Sequence, residues 1–240
     1  MSDPHTVKAF DHDLQELSRM IAEMGGLAEK QVADAVDALA RRDSTLAQRV
    51  AAADASIDTL QRELEEKAVL TIARRQPVAS DLREVVGTLR IAGDLERIGD
   101  LAKNIAKRAL AVVGEQQPKQ LMLGLKHMGE LALGQLKEVL DAYIERDADR
   151  ALKVWYRDED IDAMYNSLFR ELLTYMMEDP RNIGLCTHLL FGAKNIERVG
   201  DHATNIAETV YFLVHGKAIT DQRPKSDNTS STPVPLRSAG

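Results

Sequence analysis

The chain has 240 residues, a formal net charge of −7 from 38 acidic and 31 basic residues, and only 4% aromatics. No Lys/Arg block of the nucleic-acid-binding kind appears, and no apolar run reaches the roughly 18 residues of a membrane span, so direct nucleic-acid binding and membrane spanning are disfavoured. The single cysteine, Cys186, excludes an internal disulfide framework and fits a reducing compartment; "MSDPHTVKAF" has neither the basic region nor the apolar core of a secretory signal.

Along the chain the first element is an apolar stripe at Phe10, Leu14, Leu17, Ile21, Met24, Ala28, Val32, Ala35 and Leu39, whose alternating steps of four and three predict a bundle helix. "RRDST" interrupts it, with Asp43 or Ser44 as N-cap of the next helix. That second helix carries Leu46, Val50, Ala53, Ile57, Leu60 and Leu64 and ends near "RRQP", because the residue before Pro77 is pushed out of the helical region. A third helix starts within "PVASD" and shows Ile91, Leu95, Ile98, Ala102, Ile105, Ala109 and Val112. Gly114 to Lys119 reads as a linker.

The second half repeats the first. Residues 24–58 match 128–162 at a constant offset of 104, with identities at Met24/Met128, Gln31/Gln135, Asp43/Asp147 and Asp58/Asp162. At Glu96/Glu197, Gly99/Gly200, Asp100/Asp201 and Asn104/Asn205 the offset is 101. The difference falls in the hairpin between the second and third helices, where loops tolerate it. The predicted fold is all-α: two tandem, pseudo-repeated bundles of three long antiparallel helices over residues 7–113 and 119–216. Residues 217–240 form a Ser/Thr/Pro-containing polar tail, expected to be disordered for want of apolar surface.

Each unit writes two acidic pairs at i,i+4 spacing: Asp54/Asp58 and Glu96/Asp100, then Asp158/Asp162 and Glu197/Asp201. Residues four apart share a helix face, where like charges destabilise unless a cation stands among them. Distances from the hairpin proline place the pairs at one height. Asp58 and Glu96 each lie 19 residues from Pro77, and Asp54 and Asp100 each lie 23. Asp162 and Glu197 lie 18 and 17 residues from Pro180, and Asp158 and Asp201 lie 22 and 21. All eight flank the apolar stripe. Acid facing acid, where a structural design would set Lys or Arg opposite, points to metal binding. An all-oxygen donor set suits hard cations such as Mg, Mn, Ca or iron better than a cysteine-type zinc site.

Asn104 and Asn205 extend the line by one turn as neutral oxygen donors. His202 is a weaker candidate for auxiliary ligand, since its counterpart is Leu101. Arg97 and Arg198 offset charge, bind an anion or belong to a solvated face. Cys186 is expected in the core, while Trp155 and Tyr156 belong to packing or to a partner surface.

With "LERIGDLAKNIA" and "IERVGDHATNIAE" on two tandem three-helix units, and "RQPVASDLREVVGTLRIAGDLERIGD" leading into the first, residues 8–215 resemble the PhoU family, accessory proteins of the bacterial phosphate-specific transport system. The resemblance implies a cytoplasmic, non-enzymatic negative regulator of phosphate uptake and of the phosphate-starvation regulon. It implies an adaptor between the ATPase subunit of the phosphate ABC transporter and a phosphate-sensing histidine kinase, meeting the membrane only through these partners and commonly dimeric. It also implies multinuclear metal, of the Mg, Mn, Fe or Zn kind, on Asp54, Asp58, Glu96, Asp100, Asp158, Asp162, Glu197 and Asp201. Two other readings stay open. A di-metal carboxylate oxidase would need E-x-x-H pairs, yet Gly99 and Gly200 stand three residues after the glutamates. A purely structural helical scaffold would need no metal.

Overall fold

A computed structural model describes residues 4–53, 55–115, 118–221 and 223. In chain order its helices are α1 (Pro4–Arg41), α2 (Ser44–Ala53), α3 (Ala55–Arg75), α4 (Ser80–Ala111), α5 (Lys119–Glu145), α6 (Ala148–Tyr156), α7 (Asp158–Glu178) and α8 (Ile183–His215), with a 3-10 turn at Pro180–Asn182. No strand occurs among the described residues. The fold is the expected all-α one. At 1.5 Å per residue, α1, with its 38 residues, extends roughly 57 Å.

Local chemistry sets the helix ends. Asp43 and Asp147, equivalent in the two units, each accept from the backbone N–H three residues on, at 2.9 Å from Leu46 and 2.9 Å from Arg150. Such a cap contributes about 1 kcal/mol. Each follows an arginine in the left-handed region, Arg42 and Arg146, both at φ 57°. Helix α8 ends at Gly216 with φ +72°, where an added Cβ would also run into the Arg83 guanidinium.

The structure departs from the sequence reading in the middle helix of the second unit, which is broken into two, α6 and α7, at Arg157; in the first unit α2 and α3 flank residue 54, which lies outside the described residues. A buried glutamine from the preceding long helix reaches the equivalent carbonyl of each middle helix. The Gln31 amide donates to the Ala53 carbonyl at 3.1 Å, and the Gln135 amide to the Arg157 carbonyl at 2.7 Å. Ala53 and Arg157 stand at the repeat offset of 104, as do the glutamines. Each glutamine therefore donates to the carbonyl one residue before the first acid of the pair, and in the second unit that carbonyl belongs to the residue at which the helix is interrupted.

The two units share one core that runs without interruption from Leu17 to Val210. They meet through α1 against α5 and α4 against α8. Both contacts are antiparallel. Gly87 of α4 lies against Leu213 of α8, while at the opposite ends Arg108 lies 3.5 Å from His188. On α1 and α5 the glycines make close approach possible: a Cβ on Gly25 would stand 2.8 Å from Leu140, and one on Gly129 would stand 2.6 Å from Val36. Gly25 and Gly129 are repeat equivalents, and so are Val36 and Leu140, so the contact is made twice with the halves exchanged. A bidentate Glu84–Arg146 pair and the approach of Thr88 Oγ1 to Tyr143 Oη at 3.5 Å add polar links from α4 to the second unit.

Of the segment read as tail from residue 217, residues 217–221 and Arg223 are described. Ile219 and Arg223 line a groove with Trp155 and Phe212. The rest of that segment lies outside the described residues.

The two glycines yield different outcomes. Leu140 turns its flexible tip toward Gly25, whereas Gly129 faces the stiff, β-branched Val36. Replacing Gly by Ala within a helix gains about 1 kcal/mol of propensity, and overpacking costs about 1–3 kcal/mol. Gly25→Ala is expected to be near neutral, and Gly129→Ala to be destabilising by about 1–2 kcal/mol. Denaturant unfolding reads both, and Val36→Ala in the Gly129→Ala background restores part of the loss.

Candidate functional site

The acidic residues of the second unit line the seam between α6–α7 and α8. The break after Tyr156 turns Asp158 inward at the first position of α7, and Asp162 follows one turn on. Asp158, Asp162 and Glu197 are 2, 3 and 3% exposed, close to complete burial for three carboxylates. The antiparallel register is the expected one. Asp158 lies level with Asp201 and Thr204, and Asp162 lies close enough to Glu197 for its charge to act on it.

Each carboxylate is handled differently. Asp158 Oδ1 lies 3.1 Å from the Thr204 hydroxyl, which also lies 3.0 Å from the Gly200 carbonyl and divides its hydrogen between them. Asp158 Oδ2 accepts from Arg223 Nε at 2.9 Å, and the same guanidinium donates a second nitrogen to Asp201 Oδ1 at 2.6 Å. Glu197 Oε1 accepts from Lys194 at 2.9 Å, but its Oε2 is buried without a hydrogen-bond partner. Burial pushes the Glu197 carboxyl above its ordinary value, the Lys194 ammonium opposes the rise, and the charges of Asp201 and Asp162 add to it. Burial also works against the charge of Arg223; the bond to Asp158 and the charges of Asp158, Asp201 and Glu208 outweigh it and raise the guanidinium pKa.

The first unit is more open. Asp54 lies outside the described residues. Asp58 is half-buried, and the Glu96 and Asp100 side chains are 18 and 40% exposed. Arg97 reaches both from the solvent side, at 3.4 Å to Glu96 and 3.6 Å to Asp100, a screened contact worth at most about 1 kcal/mol. Its counterpart Arg198 is exposed.

Several secondary candidates have other employment. His202 Nδ1 lies 2.8 Å from Asp94 Oδ1, and the Asn205 amide donates to the same oxygen at 3.3 Å. Both side chains tie α8 to α4, so they are engaged across the unit boundary rather than in the acidic seam, and Asn104 is exposed. Cys186 is buried, and burial raises its thiol pKa, in keeping with a core role. Trp155 is buried and donates to Glu208 at 2.9 Å, while half-exposed Tyr156 donates to Asp221 at 3.1 Å.

The second unit's donor set fits a hard cation: four carboxylates, largely buried, with one orphaned oxygen on Glu197. Among the described residues, however, no three His, Cys, Asp or Glu side chains are drawn together to hold an ion. Asp158 and Asp201 are instead arranged around the guanidinium of Arg223. The position three residues beyond Glu197, where an oxidase-type motif would carry histidine, is Gly200, and a Cβ there would stand 2.7 Å from Ile161. Sequence reasoning missed Arg223, which carries no pattern in a polar segment, and Asp94. It noted Gln31 and Gln135 only as a repeated identity.

A family model described as "PhoU domain" matches residues 21–109 and 125–210. A protein of Rhizobium meliloti called "Phosphate-specific transport system accessory protein PhoU homolog" is 60% identical over 231 residues, covering 96% of this chain and 98% of its own length. The crystal structure of PhoU from Pseudomonas aeruginosa superposes with a TM-score of 0.84 at 43% identity, covering 87% of this chain and all of that one. That of the phosphate transport system regulatory protein PhoU from Streptococcus pneumoniae gives a TM-score of 0.81 at 31% identity, covering 88% of this chain and 99% of its own.

Two predictions follow from the second unit's chemistry. Gln135→Leu removes the side-chain donor to the Arg157 carbonyl, which keeps the Asp160 N–H, and is expected to cost about 0.5–1.5 kcal/mol in denaturant unfolding. Because Glu197 holds its proton more tightly folded than unfolded, its contribution to stability is complete below the ordinary value of 4.5 and is lost as pH rises through the folded value. In chelated protein, Glu197→Gln is therefore expected to raise the melting temperature at pH 7 and to flatten its dependence on pH above 4.5, read by calorimetry across a pH series.

Proposed function

The chain belongs to the PhoU family, and on that premise we propose that it is a cytoplasmic negative regulator of phosphate uptake and of the phosphate-starvation response. It acts as a metal-binding adaptor between the ATPase subunit of the phosphate ABC transporter and a phosphate-sensing histidine kinase, without catalysing a reaction itself. The observation that carries the reading is the acidic phrase present in both units, within a match that covers almost the whole length of relatives named for phosphate-specific transport. Among the described residues no helix is long and apolar enough to cross a membrane.

Metal would be held in each unit by its four acids: Asp54, Asp58, Glu96 and Asp100 in the first, Asp158, Asp162, Glu197 and Asp201 in the second. A bound divalent or trivalent cation of the Mg, Mn, Fe or Zn kind would supply the positive charge that lets such carboxylates share a seam. The protein's own part is to hold the two helix faces in register, exclude solvent from the second seam and keep Glu197 Oε2 unsatisfied by other donors. Support for an adaptor comes from the hairpin ends: Val69, Leu70, Val78 and Leu82 at one and Leu173, Met177 and Ile183 at the other are exposed large apolar side chains. Exposed apolar groups gathered at an end are what a partner or a second copy of the chain would cover.

In a strain lacking the gene, a phosphate-starvation promoter reporter is expected to be active in phosphate-rich medium and to be silenced again by the wild-type gene; an unchanged reporter overturns the regulatory reading. Elemental analysis of untagged protein purified without chelator is expected to find about one or more metals per unit, with loss in Glu96→Gln/Glu197→Gln. Metal-free wild-type protein after incubation with Mn, Mg, Zn and Fe would move the functional weight from the acids to the hairpin surfaces.

A further inference from the structure

Arg223 lies eight residues beyond the end of α8, in a stretch whose sequence predicts no structure, yet it is tied to the innermost acids of the second unit. Its Nε meets Asp158, which is 2% exposed, and another nitrogen meets Asp201. A planar guanidinium bridging two carboxylates is a geometry that a point cation would otherwise take. A second anchor lies two residues earlier, where Asp221 accepts from Tyr156 at 3.1 Å. Between these anchors and α8 the segment covers a groove lined by Arg90, Trp155, Glu208 and Phe212. The first unit is built differently. At the repeat offset of 101, the places of Thr204 and Glu208 on α8 are taken on α4 by Lys103 and Lys107. At these two positions the first unit carries lysines, whereas the second, besides Lys194 on α8, draws a cation from beyond the bundle.

We propose that Arg223 is the internal cation of the second acidic seam, and that the segment it belongs to is a strap which a divalent metal ion displaces when it takes Asp158 and Asp201. The inference rests on the metal-binding reading above and deepens it. Arg223 and a metal ion on these two aspartates are mutually exclusive, because the guanidinium occupies the oxygens that the metal would use. Metal binding at the second unit is therefore coupled to release of the chain's C-terminal segment, whereas metal binding at the first is not. The two sites load unequally: the second has to break two charge-assisted hydrogen bonds first. By linkage, whatever holds the strap away from the bundle raises the affinity of the second site for metal by the same factor as metal favours its release.

The experiment uses the full-length chain stripped of metal, as wild type, Arg223→Gln and Arg223→Lys. Tryptic cleavage after Lys217, followed by mass spectrometry, reports strap release, and so does the emission of Trp155, the sole tryptophan and part of the groove wall. In the absence of metal, Arg223→Gln is expected to be cut about 10-fold faster than wild type, with Arg223→Lys between them. Adding Mn or Mg is expected to speed cleavage of wild type toward the Arg223→Gln rate and to leave Arg223→Gln unchanged. Arg223→Gln is also expected to bind the second equivalent of metal about 10-fold more tightly by equilibrium dialysis. Equal cleavage of metal-free wild type and Arg223→Gln overturns the strap. Metal that binds wild type without changing its cleavage overturns the exchange while leaving the metal-binding reading intact. A cleavage difference with no metal bound to any of the three proteins overturns the exchange together with that reading, a pattern separable from the other two.

Discussion

Carboxylates cannot be buried side by side in an apolar bundle unless positive charge stands among them, and the second unit is organised around that constraint. Asp158, Asp162 and Glu197 are almost fully enclosed, and for Asp158 and Glu197 the answer to their charge is visible. Asp158 is neutralised by a guanidinium and a hydroxyl, and Glu197 by one ammonium on one oxygen, with its proton held more tightly than usual. The broken middle helix belongs to the same arrangement. At the break the Arg157 carbonyl accepts from the Asp160 N–H, three residues on, as well as from the buried Gln135 amide, and Asp158 begins a new helix facing the seam.

The constraint also separates the two units. They share capping aspartates, left-handed arginines, buried glutamines that donate to equivalent carbonyls, and acidic pairs at matching positions in the sequence. Their acidic faces nevertheless differ in exposure: Arg97 bridges Glu96 and Asp100 loosely from solvent, while Arg223 sits within the closed seam of the second unit. An exposed pair of that kind contributes little, whereas a desolvated one loses several kcal/mol when a single partner is removed. One repeated pattern thus supports two electrostatic environments, which differ in how deeply the acids are buried.

Much of this was legible in the residues. Alternating steps of four and three marked the helices, the cap was narrowed to Asp43 or Ser44, of which Asp43 makes it, and distances from Pro180 placed Asp158 level with Asp201 and Asp162 level with Glu197. Those features arise from local periodicity and chain geometry, which a sequence records directly. The helix break after Tyr156 was hidden because no Pro or Gly marks it, and the glutamine seated at it, Gln135, lies 22 residues away. The weak standing of His202 as a ligand agrees with its contact to Asp94 of the other unit; for Asn205, periodicity places it beside the acids, but the same Asp94 claims it. Arg223 left no trace, since a single basic residue among Thr, Asp, Gln and Pro has no pattern to break.

The exchanged glycine contacts between α1 and α5 carry a historical consequence. Gly25 receives Leu140, and Gly129 receives Val36, which is the form of an isologous contact between two identical subunits retained inside one chain. In a homodimer of single repeats every residue appears in both sites, so neither site can change without the other. Joining the halves covalently lifts that identity while keeping the interface. Lysines can then stand at 103 and 107 on one acidic helix while Thr204 and Glu208 hold the equivalent places on its twin, and Arg223 can serve one half alone. A single chain holds an asymmetry that a pairing of identical subunits could not.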